Sequence, residues 1–232
     1  MGPVLLRKYA SAFGFGQVTG IGLPGESRGL LHSLADFDTD SLMITRVPMG
    51  HAVDATALQV HQAMCTIANH GVLMKPYLVR RIFDSKGNTV MAFQPTPERR
   101  VVSTGTIMDP GFLNDMLCAV VGPDGTAVRA KLQNITVAGK TGTAQKIIDG
   151  KYSSDHHVAT FSGYLPAERP RLVITVIVDD AQEHGVVAYG GTVSAPAFQH
   201  VAAEAVQYLG IQPQNGRENL MAMKGDNLDW IR

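Results

Sequence analysis

The sequence predicts an α+β fold, in which helices precede and follow a cluster of consecutive strands. Three observations support this prediction. Apolar residues recur at helical spacing after Thr56, strand-like runs fill much of residues 135–178, and a second helical stripe follows Ser194. Amphipathic helices and apolar strands bury their faces against each other, so these elements predict one core that combines a sheet with helices.

Composition limits the classes of function. The 232 residues are 45% hydrophobic and 17% charged, with a formal net charge of zero. This is enough for one sizeable core, and the balanced charge gives no reason to expect a nucleic acid partner. No apolar run approaches the roughly 20 residues that cross a bilayer. The first basic residues follow a very short apolar run, the reverse of a secretion signal, so we expect no targeting or membrane segment here.

The first half of the chain alternates predicted helices with turns. A short helix is predicted from Val4 to Phe13, followed by a loop rich in glycine. Thr56 and Gln59 match a capping box that begins a helix, and Gly71 is a suitable residue to end it.

Two strands are predicted from Tyr77 to Phe83 and from Thr89 to Phe93. The turn-forming residues 84–88 between them indicate a hairpin. A helix is then predicted from Phe112 to Val121, with a second short helix that begins near Thr126.

The last third predicts strands and one long helix. A strand from Ile135 to Ile148 leads into a polar loop that includes residues 153–156, and a second strand covers Val158 to Leu165. The Leu172–Val178 run is apolar on both of the faces that a strand presents, which predicts a central strand covered on both faces. Ser194 is the candidate N-cap of the final helix.

Gly210 is predicted to close that helix, and residues 211–232 are polar and without periodicity. The predicted organisation is therefore one domain over residues 1–210 and a polar tail over residues 211–232.

The sequence favours neither a metal site nor a cofactor site. Cys65 and Cys118 lie among apolar residues of predicted helices, which favours core packing over a disulfide or a reactive thiol. The eight histidines show no ligand spacing with cysteines or carboxylates.

The candidate functional motif is Lys140-Thr141-Gly142-Thr143, which directly follows the strand-like run Ile135–Gly139. By itself, a Lys-[Ser/Thr]-Gly tripeptide occurs in on the order of one chain in ten of this length. Its position between a strand and two further strands makes it more specific. It resembles the Lys-Thr-Gly box of the penicillin-recognising serine acyltransferases.

Further stretches resemble one branch of that family, the class B high-molecular-weight penicillin-binding proteins, and they occur in the family's order. The resemblance spans about residues 4–209, and residues 139–146 are similar to the division and sporulation members. The matching stretches are Phe13–Gly16 with Leu23–Glu26, Thr56–Gln59 with Ala68–Gly71, Phe161–Pro166, and Tyr189–Phe198.

The family also carries a Ser-x-x-Lys box, which supplies the nucleophile, and a Ser-x-Asn box. None of the serines from Ser11 to Ser194 begins either pattern. In the family both boxes precede the Phe-Gly-Phe-Gly stretch, which begins here at Phe13. We therefore expect this chain to be the C-terminal part of a transpeptidase domain. The family's antiparallel sheet, flanked by helices, would then lack its first strands.

The resemblance implies roles for the four residues of the box. Lys140 would supply a fixed positive charge, and the hydroxyl groups of Thr141 and Thr143 would bind the substrate carboxylate. Gly142 would let an extended substrate pair with the strand edge. The Thr143 backbone N–H would be one of two oxyanion donors, with the other on the missing nucleophile. The alternative for both threonines is that they are ordinary β-forming residues.

The resemblance implies a D,D-transpeptidase of peptidoglycan synthesis that acts on the extracytoplasmic face of the membrane. Its ligands would be peptidoglycan stem peptides and β-lactams, with proteins of the division or elongation machinery as further partners. The alternative is a scaffold or binding remnant that keeps the fold without the chemistry. For Gly190-Gly191, a tight turn is favoured over a ligand contact.

Overall fold

A computed structural model of the chain describes residues 2–183 and 186–212, and its centre is a three-stranded antiparallel sheet. Strand β5 (Ala138–Ile148) pairs with β6 (Lys151–Leu165), and β6 pairs with β7 (Leu172–Asp179). Helices lie on both faces of this sheet, so the predicted α+β fold is confirmed.

Shorter elements surround the sheet. A 3₁₀ turn covers residues 47–49, another covers 128–130 near the short helix predicted from Thr126, and a π-helical turn covers 190–194. The remaining strands are β1 (Val72–Lys75), β2 (Arg81–Phe83), β3 (Thr89–Ala92), β4 (Thr96–Arg100), β8 (Gln182–Glu183) and β9 (Val186–Val187). The helices are α1 (Pro3–Ala12), α2 (Leu34–Thr39), α3 (Met43–Arg46), α4 (Ala57–Ala68), α5 (Thr104–Met108), α6 (Leu113–Val121) and α7 (Ala195–Leu209). None of the described helices is long and apolar enough to span a membrane.

The core divides at the sheet because side chains alternate between its faces. On one face, Phe161 and Leu165 pack with Phe198 and Ala202 of α7, and the rings of Phe161 and Phe198 meet edge to face at 4.8 Å. On the other face, Tyr164 packs in a cluster with residues of α4 and α6. The sheet is thereby packed between α7 on one side and α4 with α6 on the other.

Helix α4 begins as its sequence predicts. The Thr56 hydroxyl accepts from the Gln59 backbone N–H at 3.1 Å, and the Gln59 side-chain oxygen accepts from the Thr56 N–H at 2.9 Å. The Gln59 amide group then donates to the carbonyl groups of Gln17 and Arg28. The capping box is therefore confirmed, and the same glutamine fastens the glycine-rich loop to the helix.

The predicted hairpin also forms, as the pair β2 and β3, although residues 77–80 of the first predicted strand lie outside β2. One prediction about a loop is wrong, because residues 153–156 lie within β6. The turn between β5 and β6 needs only Asp149 and Gly150, which both have positive φ. The polar residues belong instead to the distal part of a two-stranded ribbon, beyond the point where β7 pairs with Val158.

Two predictions for the C-terminal part are corrected. Leu172–Val178 is not the central strand of the described sheet, because β6 pairs on both sides and β7 pairs only with β6. Ser194 makes no side-chain cap for α7, since it ends the π-helical turn with its hydroxyl group buried and without a hydrogen-bond partner. Gly210 closes α7 in the left-handed conformation, as predicted.

Of the predicted tail, residues 213–232 lie outside the described residues. Its first residue, Ile211, packs in the cluster around Phe198 and donates its N–H to the Val206 carbonyl.

Candidate active site

The Lys-Thr-Gly box lies in the first half of β5, the strand at one edge of the described sheet. Lys140 pairs with Ser162 and Thr143 pairs with Ala159, both on β6. In the described part of the chain, no other strand pairs with β5. The box therefore has a backbone edge at which an extended peptide can add a strand.

The alternation of β5 separates the four predicted residues into two pairs. Lys140 and Gly142 face the side of α4 and α6, and both are exposed. Thr141 and Thr143 face the opposite side and are half-buried. The Lys140 ammonium group donates to the Thr141 carbonyl oxygen at 2.7 Å. The structure thus places the two hydroxyl groups on one face of β5 and the Lys140 side chain on the other, with its ammonium group bound to the backbone of Thr141.

Each threonine hydroxyl contacts a group outside the box. The Thr141 hydroxyl lies 2.8 Å from that of Thr126, in the segment before the 3₁₀ turn at 128–130. The Thr143 hydroxyl accepts from the Gly190 backbone N–H at 3.1 Å. A hydroxyl group has a single proton, so Thr143 keeps that proton free to donate to a ligand.

Gly139 and Gly142 differ in whether packing within the chain requires a glycine. A Cβ atom on Gly139 would lie 2.5 Å from Phe161 Cζ and 2.8 Å from the Ser162 carbonyl oxygen, so packing alone requires glycine there. A Cβ atom on Gly142 would meet only Thr160 Cβ, at an ordinary 3.5 Å. Packing within the described chain therefore does not require glycine at position 142.

The Gly190-Gly191 pair is packed against the box. A Cβ atom on Gly190 would lie 2.6 Å from the Gly142 carbonyl oxygen, and one on Gly191 would collide with the Thr126 carbonyl oxygen. These close approaches require glycine, in agreement with the favoured reading of the pair as a turn. The turn is π-helical, and it carries the N–H that binds Thr143.

Sequence reasoning missed the roles of Thr126 and the Gly190 N–H. Thr126 is 15 positions from its partner in the box, and Gly190 is 47 positions away. A lone threonine after a glycine carries no motif, and a backbone N–H carries no sequence signal. Only the packing of the 190–194 turn against β5 and the contact of Thr126 with β5 reveal them.

A chain of polar side chains lies on the Lys140 face of the sheet. His61 Nδ1 on α4 is 3.1 Å from the Thr175 hydroxyl, which is 2.6 Å from the Ser162 hydroxyl. Ser162 pairs directly with Lys140. Burial lowers the pKa of His61, which favours a neutral imidazole in this chain.

The other reactive side chains show no sign of a competing site. Cys65 and Cys118 are unpaired, and burial raises the pKa of their thiols to about 11 and about 12. Burial thus disfavours the reactive thiolate form of both side chains. Within residues 2–183 and 186–212, His, Cys, Asp and Glu form no cluster suited to a metal ion.

Comparison with known proteins identifies the family of the chain. Residues 1–203 match the penicillin-binding protein transpeptidase domain. The chain is 34% identical to the stage V sporulation protein D of Bacillus subtilis over 218 residues, which is 94% of this chain and 32% of that protein. It is also 34% identical to the penicillin-binding protein PbpB of Mycolicibacterium smegmatis over 215 residues, covering 89% of this chain and 32% of that protein.

Solved structures agree in fold. Penicillin-binding protein 3 of Mycobacterium tuberculosis, complexed with ampicillin, superposes with a TM-score of 0.80 at 31% identity, over 94% of this chain and 48% of that one. The transpeptidase domain of Burkholderia pseudomallei penicillin-binding protein 3 superposes with a TM-score of 0.78 at 27% identity, over 93% of this chain and 60% of that one. The chain spans about a third of the length of the curated relatives that it matches. It belongs to the transpeptidase domain family of the class B penicillin-binding proteins.

Proposed function

We propose that this chain supplies the substrate-binding strand, β5, of a D,D-transpeptidase that cross-links peptidoglycan stem peptides. The observation that carries the proposal is the arrangement on β5. Thr141 and Thr143 present their hydroxyl groups on one face of this strand, and Lys140 extends from the other face with its ammonium group on the Thr141 carbonyl oxygen. The strand edge beside them is unpaired in the described part of the chain. A peptide that ends in a carboxylate can pair its backbone with this edge while its terminus binds the hydroxyl groups.

The proposed reaction is acyl transfer through a serine ester. A serine oxygen attacks the carbonyl carbon of the penultimate D-Ala, the peptide C–N bond breaks, and the terminal D-Ala leaves with the transferred proton. An amine of a neighbouring stem peptide then attacks the ester and releases the serine, which recovers its proton. The nucleophile and its base belong to a Ser-x-x-Lys box, which this sequence does not contain. We assign them to the longer protein.

The residues of this chain act on charge and position. Lys140 attracts the donor carboxylate and stabilises deprotonated neighbours by its positive charge. The Thr143 hydroxyl donates its free proton to that carboxylate, and the Thr143 backbone N–H donates to the oxyanion of the tetrahedral intermediate. Removing one oxyanion donor typically costs about 10²–10³ in rate. A β-lactam would occupy the same strand because it carries a carboxylate beside its reactive carbonyl group.

The proposed place of this reaction is the extracytoplasmic side of the cytoplasmic membrane, where peptidoglycan is assembled. Proteins of the division or elongation machinery are the partners that this role implies.

A two-part experiment tests the proposal. The reading frame upstream of Met1 is translated, and the longer gene product is incubated with a fluorescent penicillin beside the chain of 232 residues. We expect upstream Ser-x-x-Lys and Ser-x-Asn boxes, a covalent adduct on the longer product, and no adduct on the short chain. An upstream frame without these boxes would instead support the non-catalytic alternative. A serine adduct on the short chain would refute the assignment of the nucleophile.

A further inference from the structure

The hairpin of β2 and β3 stands apart from the core and carries a large exposed apolar surface. Among the residues that the structure describes, its two strands pair only with each other, and residues 77–95 are all exposed. Many of these exposed residues are large and apolar, which is unusual for a surface that contacts only water. They are Tyr77, Leu78, Val79, Ile82, Phe83, Val90, Met91 and Phe93.

Apolar side chains lie on both faces of this ribbon. Ile82 pairs with Met91 on one face, while Phe83 lies on the other. A two-stranded ribbon alone is marginally stable in water and gains stability when a further strand covers it. The hairpin therefore has a surface that further protein could cover.

Charge identifies the kind of molecule. Residues 77–95 include three basic residues and one acidic residue, whereas the whole chain is neutral. Arg80 and Arg81 line two surface grooves, one beside Leu78, Val79 and Phe83 and the other at the base of the hairpin beside Tyr77 and Phe93. The one carboxylate, Asp84, is held inside the turn by donors from Lys86 and Asn88. The arginines are thus left to pair with acidic groups of a partner.

A second copy of this chain fits the hairpin poorly, because like hairpins would bring their arginines together. A membrane surface also fits poorly. The tip that would enter first is Asp84-Ser85-Lys86-Gly87-Asn88, which is polar, and hydrogen bonds from Asn88 lower the pKa of Asp84 and keep it charged. A bilayer would also cover only one face of a ribbon that is apolar on both.

We propose that the β2–β3 hairpin is a docking arm for a partner protein that adds an acidic, apolar strand along the open edge of β2. The partner's carboxylates pair with Arg80 and Arg81, and its apolar side chains fill the groove beside Val79 and Phe83. Aromatic residues, methionine and arginine, which are frequent at the cores of protein interfaces, make up much of the exposed surface.

In-cell photocrosslinking of the longer gene product tests this proposal. Val79→p-benzoylphenylalanine places the probe in the groove, and Tyr208→p-benzoylphenylalanine, at an exposed site on α7, is the control. We expect an adduct from the Val79 probe alone. Mass spectrometry should identify it as a segment of another protein with net negative charge and alternating apolar residues.

Charge variants of the Val79 probe protein complete the test. We expect Arg81→Glu to lower the adduct yield at least tenfold, and Lys86→Glu, the same charge change in the turn, to leave it unchanged. The exposed positions of both residues predict that folding is unaffected, which thermal unfolding checks. A lipid adduct, an adduct within the same protein, no adduct, or equal yields for Arg81→Glu and its parent would each overturn the proposal.

Discussion

At the scale of single residues, the direction of hydrogen bonds at the box matters as much as the identity of its side chains. The Gly190 N–H occupies an acceptor position on the Thr143 hydroxyl and so turns that hydroxyl into a donor. Thr126 and Thr141 share one hydrogen bond between two hydroxyl groups, which leaves one of their two protons free. In the proposed carboxylate site, Thr126, a residue outside the box, would therefore orient the Thr141 hydroxyl group.

Thr126 should act through Thr141. In the longer gene product, we expect Thr126→Val to slow acylation by a fluorescent penicillin about tenfold, the usual value of one hydrogen bond. Thr126→Ser, which keeps the hydroxyl group, should retain most of the parent's acylation rate. If Thr126 had only a structural role, the acylation rates of the two variants would not depend on the hydroxyl group. Stopped-flow acylation rates measure the difference, and equal rates for Val and Ser would contradict it.

Alanine substitutions of Gly142 and Gly139 form a matched test and control. We expect Gly142→Ala to leave the melting temperature nearly unchanged, because the added methyl group has room in the chain. We expect it to slow acylation, because the methyl group would lie beside a substrate that pairs with the edge of β5. Gly139→Ala should lower the melting temperature clearly, because its methyl group meets Phe161 and the backbone of Ser162. Thermal unfolding and acylation assays on both variants check this. A large loss of stability in Gly142→Ala would assign that glycine to packing.

At the scale of elements, the sequence predicts what local chemistry determines. The capping box of α4 and the hairpin of β2 and β3 depend on residues a few positions apart, and both form as predicted. The prediction of a loop at 153–156 is wrong because polar residues also fit a ribbon that is exposed to solvent. Pairing with β5 outweighs their local preference for a loop. The prediction that Ser194 caps α7 with its side chain is wrong because the packing of the 190–194 turn buries the Ser194 hydroxyl group.

Helix α4 also makes the stability of the domain depend on pH. Burial lowers the pKa of His61 on this helix below the usual value of about 6.5 that it regains on unfolding. Below that value the unfolded chain binds a proton that the folded chain does not, so the free energy of unfolding decreases as the pH falls. Burial, together with the charge of Arg100, lowers the pKa of His70 in the same direction.

We therefore expect the longer gene product to unfold at a lower temperature at about pH 5.5 than at about pH 7.5. His61→Gln should reduce this difference, and His200→Gln, an exposed position on α7, should leave it unchanged. Thermal unfolding of the three proteins at both pH values measures the effect. An undiminished difference in His61→Gln would exclude His61 as a source.

At the scale of the whole molecule, long-range pairing is what the sequence did not predict. The family order and the α+β class followed from motifs and periodicity. The position of β7 at an edge, and the approach of Thr126 and Gly190 to the box, depend on contacts between distant segments. Such contacts are set by packing over the entire sheet, which no local pattern encodes.

The open edge of β7 predicts how the 232-residue chain behaves alone. This strand is apolar, half-buried and paired only with β6 in the described structure, and such an edge is a template for other chains. We expect the isolated chain to self-associate on size-exclusion chromatography, and the longer gene product, in which upstream strands would cover the edge, to be less prone to it. A sharp monomer peak with cooperative unfolding for the short chain would show that it needs no further strand.

The central claim is that β5 binds the substrate carboxylate through Lys140 and its neighbouring threonines. The most direct measurement is the second-order rate of acylation by a fluorescent penicillin, for the longer gene product and its Lys140→Ala variant. We expect a loss of about 10²–10³, because a charged group aimed at the reacting ligand is removed. The free energy of unfolding should stay within about 0.5 kcal/mol, since Lys140 is exposed. Equal acylation rates for the variant and its parent would contradict the account.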